Sequence, residues 1–143
     1  MKARQKVLNS LLASFGGWLS GFVSYEIISL VKDGSFSDVF FALIWPGIFI
    51  AVWWGVFLLP VILLTRDTNP IFSIGLGSVF GAVYGLAGFF ILTGWFLRIS
   101  FDVRSWLTPE TSMLCISAIV AGAVTMFIYT IQIRKIIGLK AHT

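Results

Sequence analysis

Charge is scarce in this chain. Only 11% of its 143 residues are Asp, Glu, Lys or Arg, where soluble domains carry about 25%. With 58% of the residues hydrophobic, too little polar surface remains to cover a core in water, and lipid is the alternative solvent. Cysteine occurs once, as Cys115, which excludes an intramolecular disulfide and a cysteine-based metal cage. Inside an apolar run that thiol reads as a small hydrophobe. Histidine also occurs once, as His142 in a polar tail, so the apolar segments hold no imidazole base. There is no HExxH, P-loop or dinucleotide fingerprint; Gly75, Gly77 and Gly81 lie within an apolar span and not between a strand and a helix. No catalytic residue, metal or cofactor is assigned. Nucleic-acid binding needs a basic face on a folded module, and none is present.

The charge that exists is segregated. Windows 39–65, 68–97 and 111–133 contain no charged residue, and 7–31 contains only Glu26. About 20 apolar residues cross the hydrocarbon of a bilayer, so each window suffices. The expectation is an all-α, polytopic membrane protein: one domain over 1–143, a four-helix bundle with short loops. Its spans lie near 7–31, 39–64, 70–97 and 109–133. The first span is too long for a signal-peptide core and lacks a clear small-x-small cleavage site, so it reads as an uncleaved anchor. Asn69-Pro70 and Thr108-Pro109 read as helix caps followed by a first-turn proline. The stretch 98–108 is the longest loop and alternates apolar with polar residues, as an interfacial segment does.

Small residues recur on every span. Ser73, Gly77, Gly81 and Gly85 repeat every four residues in 73–88, a glycine-zipper spacing that keeps them on one slowly drifting helix face. In lipid the backbone must hydrogen-bond to itself, so helix survives the glycines, and the groove they leave admits a second backbone. This run is the expected packing spine. Gly17 and Gly21 give the first span a matching face; Gly47, Ala51 and Gly55 do so for the second, and Gly122, with Ser117, Ala118, Ala121 and Thr125, for the fourth. Pro46 and Pro60 each remove a backbone donor and crowd a carbonyl one turn back, so kinks are expected there.

Four spans place both termini and the 65–69 loop on one side. That side carries Lys2, Arg4, Lys6, Arg66, Arg134, Lys135 and Lys140; the other carries Lys32, Arg98 and Arg104. The asymmetry predicts cytoplasmic N and C termini, contact with anionic headgroups at that face, and residence in a plasma or bacterial inner membrane. Glu26 is the one ionisable side chain within an apolar run. It reads as an interfacial carboxylate, paired with Arg98 at headgroup depth, or as an ion-coupling group. Trp18, Trp53, Trp54 and Tyr84 fall near mid-membrane instead of at the interfaces. They either fill glycine grooves or line an apolar pocket for a lipid, quinone or similar ligand.

The leading functional expectation is a non-enzymatic membrane protein that associates through small-residue faces, as a homo-oligomer or an accessory subunit of a larger complex. The alternative is a small transporter or channel with Glu26 as the coupling or selectivity residue. An enzyme built on the carboxylates Glu26, Asp33, Asp38, Asp102 and Glu110 is the weakest reading, because loop carboxylates in water are ordinarily solvated.

Overall fold

The computed structural model describes residues 2–36, 39–91, 94 and 108–141. Among them there is no strand. Helix α1 spans Ala3–Asp33 and α2 spans Val39–Trp53; α2 runs through a π-helical turn, Trp54–Leu58, into α3, Leu59–Leu64. A 3-10 turn, Pro70–Phe72, leads into α4, Ile74–Ile91, and α5 spans Pro109–Ala141. Among the described residues four stretches are long and apolar enough to cross a membrane: Ala3–Asp33, Pro46–Leu64, Ile74–Ile91 and Pro109–Ile136.

The helix ends follow local chemistry. α1 stops at Gly34, whose φ of 66° is left-handed and whose N–H returns 3.0 Å to the Leu30 carbonyl; without a Cβ, glycine adopts this cap readily. Asn69 Oδ1 accepts from the Ile71 N–H at 3.0 Å, and Ser73 Oγ accepts from the Leu76 N–H at 3.3 Å at the start of α4. Thr108 Oγ1 accepts from the Thr111 N–H at 3.3 Å ahead of Pro109. Three boundaries differ from the sequence expectation; α4 begins at Ile74, after the 3-10 turn and not at residue 70. α1 begins at Ala3, before residue 7, and α5 continues to Ala141, past residue 133. Arg and Lys are good helix formers, so loss of hydrophobicity ends a span without ending the helix. The end of the third span and the 98–108 loop, with Trp95, Arg98 and Trp106, lie outside the described residues.

The prolines act differently from one another. α2 continues as α-helix through Pro46. Ahead of Pro60 the register changes: the Leu59 N–H bonds to the Trp54 carbonyl, five residues back. A π turn supplies the slack that a proline ring needs against the preceding turn.

α2 and α3 pack mainly on α1, and α5 lies between α1 and α4 as the element on which those two pack, whereas the sequence pointed to 73–88. α5 meets them with adjacent tracks. Ser117, Ala121 and Thr125 meet α1: a Cβ added at Gly21 would lie 2.9 Å from both the Ser117 carbonyl and the Ala121 Cβ, and one at Gly17 would collide with Thr125 and the Ala121 carbonyl. Ala118, Gly122, Met126 and Thr130 meet α4: Gly85 faces the Ala118 carbonyl, Gly81 and Gly122 abut backbone to backbone, and a Cβ at Gly77 would lie 2.8 Å from Thr130 Oγ1. The core closes around Ala13, Leu58, Ile62, Phe72, Met126, Tyr129 and Ile133, near the 65–69 loop.

Candidate functional site

Lys6 stands one turn inside α1 and is only 8% exposed. Its Nζ donates to the Thr65 carbonyl at 2.8 Å and the Ile62 carbonyl at 3.2 Å, and pairs with Asp67 Oδ1 at 2.9 Å. The carbonyls are the unsatisfied acceptors at the C-terminus of α3, where the helix dipole favours a cation. Burial pushes the Asp67 carboxyl up, but the cations hydrogen-bonded to it, Lys6 among them, hold it below the usual carboxylate value. Lys6 is therefore not one of the headgroup-facing basic residues that the sequence reading made of it. One turn further along α1, Ser10 Oγ donates to the Val7 carbonyl at 2.9 Å and accepts from Trp54 Nε1 at 3.1 Å. The signal for this network was the lone acid of the 65–69 loop opposite the innermost lysine of the N-terminal run.

The four mid-span aromatics do not form one pocket. Trp53 and Trp54 are consecutive, so they point about 100° apart around their helix. Trp54 turns to α1. Trp53 turns to α4, lying over Gly88, where an added Cβ would be 2.8 Å from Nε1. Its ring stacks with Tyr84 at 5.5 Å and 29°, and with Phe49 at 6.0 Å and 14°. Trp18 crosses from α1 to α2, donating from Nε1 to the Leu43 carbonyl at 3.2 Å and covering Gly47, whose added Cβ would meet its ring at 3.1 Å. Ser20 and Ser78 donate to the Gly16 and Ile74 carbonyls of their own helices.

Trp18 and Trp54 thus bracket a groove of about 440 Å³ between α1 and α2, floored by Ser14, Gly47 and Ala51. Its rims are open: Leu11, Phe15 and Ile48 are exposed. Both indole N–H groups at its ends are already bonded within the protein, so the lining presents carbon almost throughout.

The remaining sequence candidates separate. Gly17, Gly21, Gly77, Gly81, Gly85 and Gly122 sit in the helix interfaces described above. Gly55 has nothing within 4 Å of where its Cβ would be, and Ser73 serves as a cap. Glu26 is buried, 6% exposed, in the half of α1 away from Lys6; Arg98 lies outside the described residues, as do Asp38, Asp102, Arg104 and His142. At that end Lys32 pairs with Glu110 at 3.0 Å and approaches Asp33 at 3.9 Å, tying α1 to the start of α5. Among the described residues no three His, Cys, Asp or Glu side chains are grouped to hold a metal ion. No family model matches this chain, and no curated protein or solved structure matches it.

Proposed function

We propose that this chain is a non-enzymatic integral membrane protein that acts by association, as a homo-oligomer or as an accessory subunit of a larger membrane complex. The observation that carries this reading is the open face at Gly55. Gly17, Gly21, Gly77, Gly81, Gly85 and Gly122 meet opposing helices inside the chain, but among the described residues Gly55 meets no neighbour and is flanked by exposed Val52, Val56 and Phe57. A helix-interior glycine is about 1 kcal/mol less favourable than alanine, and no neighbour among the described residues requires it there. A partner helix approaching backbone to backbone does.

The same reading places the chain in a plasma or bacterial inner membrane with both termini cytoplasmic. Setting the internally paired Lys6 aside, Lys2, Arg4, Arg66, Arg134, Lys135 and Lys140 still outnumber Lys32, Arg98 and Arg104. The test is the mass of intact complexes released in mild detergent. The expected result is a mass above the 15.8 kDa of one chain. Gly55→Leu should keep the fold and return the protein to a monomer. A wild-type monomer, or assembly unaffected by Gly55→Leu, overturns the proposal.

One observation favours a transporter instead: Glu26 is buried within a long apolar helix, and intramembrane carboxylates commonly mark ion paths. A pH-gradient-driven flux in reconstituted vesicles, present with wild type and abolished by Glu26→Gln, would decide for that reading.

A further inference from the structure

We infer that the α1–α2 groove is a binding site for one anionic phospholipid, with an acyl chain along the groove and the headgroup at the N-terminal turn of α1. Arg4, Leu8, Leu11 and Phe15 follow an i, i+4, i+7, i+11 spacing, one face of a helix. Leu11 and Phe15 line the groove, while Arg4 and Leu8, with Lys2 and Gln5, line a shallow recess beyond its end. Among the described residues no ion pair engages Lys2 or Arg4, which are exposed, so their charge is available to a phosphate. The dimensions agree with one leaflet. From Arg4 to Trp18 the helix rises about 21 Å, and half a bilayer with its headgroups is about 20–22 Å. Trp18, hydrogen-bonded across to α2, closes the far end near the bilayer midplane.

The chemistry of the lining selects the ligand. With the indole N–H groups of Trp18 and Trp54 bonded to Leu43 and Ser10, the groove offers almost no polar partner, and a polar or hydrogen-bonding ligand would lose its water without replacement. An alkyl chain loses nothing. This site rests on the chain spanning a bilayer and does not depend on self-association.

Native mass spectrometry of the full chain in detergent, with phosphatidylglycerol or phosphatidylcholine added, tests it. The expected result is one retained lipid and a preference for phosphatidylglycerol on the order of tenfold or more, as two basic side chains near a surface imply. Lys2→Gln/Arg4→Gln should abolish the preference while leaving residual lipid binding. Ala51→Phe, at an exposed position of the groove floor, should lower binding of both lipids. Equal binding of the two lipids by wild type, undiminished binding by Ala51→Phe, or a second copy of the chain in place of lipid would overturn the inference. A chain that stays monodisperse without detergent would instead overturn the membrane-spanning reading itself.

Discussion

Lys6 shows how much one side chain can join. It links α1 to the C-terminal carbonyls of α3 and to the loop that starts the third span. Lys6→Met would strand two carbonyls and remove one of the cations bonded to a shielded carboxylate. Removing one member of a buried pair typically costs about 3–5 kcal/mol; here, with Asp67 still 15% exposed, the lower end is expected. Asp67→Asn leaves Lys6 its carbonyl acceptors and should cost less. Thermal unfolding in detergent followed by circular dichroism checks the order, and equal losses would contradict it. The pair also has a pH signature. The Asp67 carboxyl is held below its ordinary value of 3.8, so the unfolded chain protonates first on acidification. The contribution is therefore complete above about pH 4 and is lost as the pH falls through the lowered folded value. Asp67→Asn should flatten that acid limb of stability, and an unchanged limb would show that other carboxylates produce it.

At the scale of elements, the α4–α5 contact brings two backbones together. Gly81 and Gly122 touch through their backbones, so Gly81→Leu must push the helices apart. Overpacking costs about 1–3 kcal/mol where a core can shift; two abutting backbones have little room, so the upper end or loss of the fold is expected. Gly75, on the same helix, has nothing within 4 Å of its Cβ position, so Gly75→Leu should stay within about 0.5 kcal/mol of wild type, as substitutions away from packed features do. Melting temperatures of the pair check this, and equal tolerance would mean that the α4–α5 contact contributes nothing. The second span behaves as a separate element. Its Leu58 and Ile62 are buried in the core, but Val52 and Val56 face outward, and the π turn between them sets which residues do which.

For the whole molecule, topology is the open quantity. The basic residues cluster at the end that carries both termini, so the termini are expected in the cytoplasm. In a Cys115→Ser background, His142→Cys should react with a membrane-impermeant thiol reagent only after cells are opened. Labelling of intact cells would reverse the orientation.

The sequence by itself determined the helical class and the four apolar stretches. Both depend on local quantities: the length of an uncharged run and the caps at Asn69 and Thr108. It also marked Gly17, Gly21, Gly81, Gly85 and Gly122 as small faces, because a four-residue repeat defines a face whatever lies opposite. Which faces meet was decided only in three dimensions. The small residues of α5 divide into tracks one residue apart, and that division depends on the rotation and crossing of three helices, which no single helix encodes. That Trp54 meets α1 and Trp53 meets α4 follows from where their helix stands in the bundle. The capture of Lys6 by Asp67 required the 65–69 loop to fold back over the start of α1, a contact between distant residues that appears only once the bundle is assembled.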